Sequence, residues 1–312
     1  ALPIFYNQRT DMSTRGHIDS FHMMVVGRYF ESIGDFINIE MMNKGYKGMT
    51  KKYKYNPVPL NDKRSRKMFP GLETQHLYSK SDNMLKEKKI KRHVYWYPVR
   101  YGEYKRKEGE NEEYKFIEYT KEDREEYGYK IPECVNELCG RCFSECTSMS
   151  TVSIPSSVSV IGEWCFFRCT SLSSVSIPTS VSKIDDSCFF WCTSLSSVSI
   201  PSSVSVIGNR CFSYCSSLSS ISIPPSVSVI GKECFCHSYS LSSLSIPSSV
   251  SEIGAKCFCR CLLSSISIPS TVSVIGRECF QNCPLTSVTL PTSFKSKKDE
   301  LGIQKGCNVK YV

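Results

Sequence analysis

Eight prolines, at positions 132, 155, 178, 201, 224, 247, 269 and 291, each open a copy of one phrase. The first five intervals are 23 residues and the last two are 22. A clean copy runs from Pro178 through Cys188-Phe189 and Cys192 to Ile200. A fixed period of this length marks a solenoid, in which each repeat is one turn of a coil. In the copy opened by Pro155 the recurrent apolar positions are Val158, Ile161, Cys165, Phe166, Cys169, Leu172, Val175 and Ile177. The last three fit a short strand whose apolar side chains point inward.

One copy cannot fold by itself. The burial of eight side chains falls well short of the entropy lost in ordering 23 residues. Stacking supplies the difference, through hydrogen bonds between turns and burial of their flat faces, so stability becomes a nearest-neighbour property. A glycine follows the second apolar position at Gly162, Gly208, Gly231, Gly254 and Gly276, with Asp185 in that place once. A left-handed backbone turn is expected there, since Gly adopts it freely and Asp tolerates it. Each proline sits just past a strand end, where its missing N–H does least harm. The first copy is degenerate, with Cys139 in the glycine place and Met149 in the leucine place.

The spacing Leu172-x-x-Val175-x-Ile177 is that of a leucine-rich repeat. The full frame, I-P-x-x-V-x-x-I-G-x-x-C-F-x-x-C-x-S-L-x-x-V, resembles the BspA-like class of such repeats found in large protist families. The resemblance covers about half the chain. It implies an α/β repeat protein, a leucine-rich-repeat solenoid with one short parallel strand per 22–23-residue turn, preceded by a small helical segment. It also implies a scaffold for protein–protein interaction without a cofactor, and allows a role in cell-surface adhesion or contact with a host or matrix.

The chain has 312 residues and a net charge of +9. Up to Lys130 there are 26 Lys and Arg against 19 Asp and Glu, so most of the basic excess precedes the repeats. All 18 cysteines lie from Cys134 onward, most as pairs four apart such as Cys165/Cys169 and Cys188/Cys192. Disulfides and zinc are alternatives, but one pair per turn beside Phe fits a ladder of buried thiols, since free Cys buries readily as a small hydrophobe. The cluster Cys257, Cys259 and Cys261, with Cys236 and His237 one turn earlier, is the place to look for metal. No run of about 20 apolar residues suggests a membrane span. No signal peptide is visible. The cytoplasm and the periphery of the cell surface both stay open as locations.

Four regions are expected: a helical segment and linker over 1–68, irregular leucine-rich-like turns with a charged insertion over 69–131, regular repeats over 132–293 and a cap over 294–312. Residues 1–16 read as loose. Phe21, Met24, Val25 and Phe30 recur at helical spacing after Asp19-Ser20, and a second helix is expected from about Ser32 to Lys44. This pair weakly resembles an F-box through Asp35, Phe36, Ile39, Met42, Lys44 and Tyr46, although the motif's opening Leu-Pro is absent and the spacer is one residue long. That resemblance implies an alternative role as a substrate adaptor of a ubiquitin ligase. Lys51–Lys67, with Pro57 and Pro59, reads as a linker or irregular loop. Phe69–Tyr78 and Val94–Tyr97 read as early strands, and Gly102–Lys130 as a solvated insertion. The basic run Lys86–Arg92 reads as a solvated loop, with no nucleic-acid motif around it. After Phe294 the polar residues suit a terminal cap, with Val309 and Tyr311 on a last strand.

No acid, base and nucleophile converge in the repeats, so an enzyme is not expected. The informative positions are those that vary while the frame stays fixed. One column carries Arg168, Trp191, Tyr214, His237, Arg260 and Asn282, and the column before it opens with Phe167 and Phe190. Arg, Trp and Tyr dominate interface energetics. Arg168, Trp191, Tyr214 and Arg260, flanked by Phe167 and Phe190, are therefore the candidate contact for a protein partner; the alternative is that these rings fill the convex side.

Overall fold

The computed structural model describes residues 20–107 and 111–312, so the loose segment expected over 1–16 lies outside the described residues. The chain divides into two compact units, Ala1–Tyr97 with Glu108–Lys115, and Pro98–Lys107 with Phe116–Val312.

In the first unit, helix α1 (Ser20–Val26) runs into a short 3-10 turn, and helix α2 spans Ile33–Met42. Ser32 starts α2 with a capping box. Its N–H and hydroxyl both donate to Asp35 Oδ2 at 2.9 Å, and the first of these bonds satisfies a backbone donor left open at the helix start. α2 buries Phe36 edge-on against Tyr53 and Phe69, at centroid distances of 5.7 and 5.4 Å. The stretch expected as a linker differs from that expectation. Tyr53, Val58 and Leu60 enter the same core, and Lys63–Met68 forms helix α3, whose Ser65 N–H donates to Asp62 Oδ1 at 2.7 Å. Irregularly spaced apolar residues between prolines carry no periodic signal, although they bury as well as periodic ones. Strands β1 (Thr74–Leu77) and β2 (Arg92–Arg100) pair in parallel, with Thr74 opposite Arg92 and Leu77 opposite Tyr95.

The stretch that passes from the first unit into the second also differs from expectation. The stretch read as a solvated insertion supplies helix α4 (Tyr101–Arg106), strand β3 (Glu112–Tyr119) and helix α5 (Lys121–Tyr127). Ile117 and Tyr119 are buried, and β3 pairs with Glu137–Leu138. Asp123, also buried, holds the corner together. Its carboxylate accepts from Thr120 N–H and Gly102 N–H, both at 2.9 Å.

From Ile131 to Pro291 the chain contains only strands and tight turns. The expected strand, as in Ser174–Ser176 between Thr151–Ser153 and Ser197–Ser199, is joined by a second one. That two-residue strand recurs as Lys183–Ile184, Val206–Ile207, Val229–Ile230, Glu252–Ile253 and Val274–Ile275, all parallel. A third set of bonds runs along the Cys-Phe side. Trp164, Phe166 and Arg168 donate to Asp186, Cys188 and Phe190 of the next turn at 2.9–3.1 Å. Turn sits on turn so closely that like side chains stack in columns. Phe143, Phe166, Phe189, Phe212, Phe235, Phe258 and Phe280 form an unbroken, nearly parallel file with centroids 5.2–5.8 Å apart.

Thirteen of the 18 cysteines make two interior columns, and all 18 are free thiols. The column of Cys165 and Cys188 is fully buried, and burial pushes those thiols up, which suppresses the reactive thiolate. The second column has a hydrogen-bonding role. Cys169, Cys192, Cys215, Cys261 and Cys283 each donate S–H to the carbonyl of a Phe in the preceding turn, at 2.9–3.3 Å. In the one turn without this cysteine, Ser238 takes the place and donates to Phe212 O at 3.0 Å. The column thus asks for a small side chain with a donor, which Ser supplies as Cys does.

The glycines are set by crowding, not by handedness. None of the repeat glycines has a positive φ. A Cβ on Gly231 would lie 2.5 Å from Asn209 N and one on Gly254 2.4 Å from Lys232 N, both backbone atoms of the turn before. The left-handed residues are others. Among the described residues fourteen non-glycine residues have φ between 54° and 65°, including Trp164, Arg168, Trp191 and Tyr214. Each costs about 1–2 kcal/mol. The forward hydrogen bonds of Trp164, Arg168 and Trp191 offset that cost. The stack ends in a 3-10 segment, Thr292–Leu301, and in strand Asn308–Tyr311, which pairs with Ser287–Leu290.

Two substitutions test these assignments. Gly254→Ala should destabilise the protein by about 1–3 kcal/mol, as overpacking does. Gly34→Ala, on α2 with only Ser32 Oγ nearby at 3.4 Å, should be neutral or stabilise by up to about 1 kcal/mol. Chemical denaturation reads both. In the thiol column, Cys192→Ser should retain stability to within about 1 kcal/mol, whereas Cys192→Ala and Ser238→Ala should each lose about 1–3 kcal/mol by taking away one of two donors on a buried carbonyl and leaving a small cavity. Equal losses for the serine and alanine variants at Cys192 would remove the hydrogen-bond reading.

Candidate functional site

The variable column lies where the chain reverses after each Cys-Phe pair. Left-handed φ values of 54–65° at Arg168, Trp191, Tyr214, His237, Arg260 and Asn282 leave the side chains at the surface, and the N–H groups of the first five donate to carbonyls of the next turn. Arg168 and Arg260 are exposed, and Trp191, Tyr214 and His237 are half-buried. Trp191 stacks on Tyr214 at 4.6 Å and 10°, and Tyr214 on His237 at 4.2 Å and 7°. The Arg168 guanidinium closes one end of the stack, 5.3 Å from both the Trp191 and Phe167 rings. Phe167 and Phe190 stack beside it at 5.8 Å, and Phe190 meets Tyr214 edge-on at 5.6 Å.

Two members of this surface are not in the candidate set read from sequence. His237 completes the ring stack and was visible there as a column member. Trp164 packs edge-on against Phe167 at 5.2 Å and Phe190 at 5.7 Å. Its position before Cys165 belongs to a second left-handed column, whose signal was the repeat phase alone. Arg260 stands one turn beyond His237. Burial and then the Arg260 charge hold the His237 imidazole below its ordinary range, so the rings are neutral at neutral pH and the charges sit at the ends of the column. The Arg168 end is partly balanced by Glu145 at 3.7 Å.

The cysteine cluster beside this column is not arranged for metal. Among the described residues no group of three His, Cys, Asp or Glu side chains converges. Cys257 and Cys261 belong to the interior columns, and His237 Nδ1 faces the Tyr239 hydroxyl at 2.6 Å. Burial, then the neighbouring Cys259, pushes the Cys236 thiol up to about 12.

The strand face is lined with serine. A cleft of about 530 Å³ there is bordered by Ser220, Ser243, Ser245, Ser265 and Ser267 among others. Many serines elsewhere in the stack are occupied with their own carbonyl ladder, as Ser196 Oγ donates to Ser173 O at 3.1 Å. The F-box-like residues divide. Phe36 and Tyr46 are buried, Ile39 packs against the core, and Asp35 caps its own helix, with the Ser32 hydroxyl holding its carboxyl below the usual range. Met42 is exposed beside Met41, and Lys44 lines a shallow cleft with Ile37, Glu40, Met41, Lys47 and Met68. No helix among the described residues is long and apolar enough to cross a membrane.

The family comparison agrees with this geometry. The family described as "BspA type Leucine rich repeat region" matches in six copies over residues 128–242 and 228–301. No curated protein matches the sequence. Among solved structures, a leucine rich repeat protein of T. pallidum is 30% identical, covering 56% of this chain and 80% of its own, with a TM-score of 0.46. A leucine-rich repeat protein from Bacteroides ovatus is 19% identical with a TM-score of 0.48; the match covers 86% of this chain and 53% of that one. A leucine rich cell surface protein from Faecalibacterium prausnitzii is 26% identical over 49% of this chain and 42% of its own, with a TM-score of 0.35. With its period, its Cys-Phe columns and its parallel ladders in agreement with the family match, the chain belongs to the BspA-type leucine-rich-repeat family.

Proposed function

We propose that the chain is a non-enzymatic scaffold that grips a partner protein through the stripe Arg168, Trp191, Tyr214 and Arg260, with Phe167 and Phe190 at its flank. The observation that carries this is the accessible stack of Arg168, Trp191, Tyr214 and His237. The rings sit on a backbone hydrogen-bonded to the next turn, so they lose little freedom when a partner covers them. Exposed aromatics with Arg are the residues that anchor protein interfaces, whereas the serines of the strand face are poor anchors. Two arginines on an otherwise neutral column favour a partner surface with carboxylates around an apolar patch. Family membership supports protein binding in general; adhesion at the cell surface is the setting we propose for it.

A second reading rests on α2, where Met41 and Met42 are 80% and 79% exposed. Neighbouring exposed methionines suit a docking helix, as an F-box-like adaptor of a ubiquitin ligase would need. Such docking would use Met42 and Lys44, since Phe36 and Tyr46 face the core.

Quantitative pull-down from cells separates these readings. Partners captured by the natural chain should fall at least tenfold with Trp191→Ala/Tyr214→Ala, at unchanged circular dichroism and melting temperature. Capture that ignores these two rings sinks the stripe. Intact cells treated with a membrane-impermeant amine reagent should label the protein if it acts in adhesion. Protection from the reagent, together with capture of an Skp-type protein lost on Met42→Asp, selects the adaptor.

A further inference from the structure

The first unit holds an aromatic pocket of its own, separate from the residues of the stripe. It measures about 390 Å³ and is lined by Arg28, Tyr55, Pro57, His76, Tyr78 and Trp96. The residues come together because neighbouring extended segments present them on one face. Tyr55 bridges to Thr74, His76 lies on β1, and Trp96 lies on β2 in parallel register with it. Tyr55 and His76 stack at 4.7 Å and 21°, His76 meets Trp96 at 5.8 Å, and Tyr78 stands edge-on to His76 at 6.1 Å. The walls are fixed. The Tyr78 hydroxyl donates to Asn56 O at 2.9 Å, and Asn56 is itself tied to the His76 backbone at 2.7 Å.

The polar groups in this pocket are unbalanced. Trp96 Nε1, the Tyr55 hydroxyl and the Arg28 guanidinium have no hydrogen-bond or ion-pair partner among the described residues. All three can donate. No carboxylate lines the pocket. The nearby Glu113 is taken by Arg92 at 2.5 Å and by Lys115. Burial holds His76 down to about 4, so the imidazole adds no positive charge at neutral pH. The pocket therefore offers flat apolar walls, with the Glu113-paired Lys115 Nζ 5.4 Å from the Trp96 ring centroid, donors in excess and the free Arg28 cation at the rim.

The matching ligand is apolar and pre-extended, rich in acceptors and poor in donors, with a negative charge at one end. Proline provides a carbonyl and no N–H. Its polyproline conformation docks into aromatic-lined grooves at low entropic cost. We propose that this pocket binds an extended, proline-containing segment of a partner protein that carries Asp or Glu beside the prolines, with Trp96 and Tyr55 donating to its carbonyls and Arg28 pairing with the carboxylate.

Fluorescence anisotropy on the full chain tests this with three labelled peptides: a run of prolines flanked by Glu, the same peptide with Ala for Pro, and the same with Lys for Glu. The first should bind, and each of the others should bind at least tenfold more weakly. Trp96→Ala should abolish binding at unchanged melting temperature. Arg28→Glu should reverse the preference, so that the Lys peptide binds better than the Glu peptide. Absence of binding, binding that survives replacement of the prolines, or no charge reversal overturns the proposal. So does tighter binding of adenosine monophosphate, which would assign the pocket to a planar anion. The Trp191→Ala/Tyr214→Ala protein should bind the peptide as the natural chain does, which keeps this result apart from the fate of the stripe.

Discussion

Everything in the repeats follows from the distance between turns. A backbone hydrogen bond sets that distance near 4.8 Å, so every position must tolerate a copy of itself directly above. Phe meets the demand by stacking ring on ring at 5.2–5.8 Å. Glycine meets it where backbone crosses backbone and no Cβ fits. Serine meets it by sending its hydroxyl to the carbonyl one turn back. Surface charges meet it by alternating sign, as Arg210 over Glu233 at 2.9 Å and Lys256 over Glu278 at 3.2 Å. Such exposed pairs add little stability. Like charges in the same places would repel at close range, so their effect is on which neighbours a turn accepts.

The cysteines show how narrow the demand can be. The second thiol column supplies a small side chain with a donor, and Ser238 does the same work in the turn that lacks the thiol. Sequence alone weighs Cys against Zn and disulfide, because spacing by four suits all three. The distinguishing fact is that each sulfur sits within hydrogen-bond reach of a Phe carbonyl one turn back. Periodicity thus made the columns legible, while the chemistry inside a column depended on contacts with the turn before.

The same boundary separates the parts of the fold that were legible from those that were not. Val158, Ile161, Leu172 and Val175 declare themselves by recurrence, and all are buried. Tyr53, Val58 and Leu60 do not recur, and their basic, proline-broken context disguised core residues as a linker. Charges around β3 hid Ile117 and Tyr119 in the same way. The glycines were located correctly and explained wrongly: a missing side chain is equally compatible with a left-handed turn and with a crowded crossing, and only the neighbouring turn decides between them. The candidate stripe was legible as a column, but its exposure and the recruitment of His237 and Trp164 depended on the left-handed corner that the sequence did not reveal.

That corner has a consequence for recognition. The backbone at Arg168, Trp191, Tyr214 and Arg260 adopts its strained conformation whatever side chain it carries, since Glu145 and Asn282 share it. The energy that fixes it comes from the Phe file, the thiol column and the forward hydrogen bonds, all on the inner side of the turn. Side chains on the outer side are therefore free to change without unfolding the stack. On the proposed binding role, exchanging column residues would rewrite the partner's preference while the spacing between successive contacts stays at one turn. The proposed contact pattern is periodic, so a partner would have to present its own features at the same interval, or engage a few neighbouring turns only. The aromatic members cluster on the three consecutive turns that hold Trp191, Tyr214 and His237, with arginine on either side, which is the arrangement expected of a contact that spans a short patch and not the whole length of the coil.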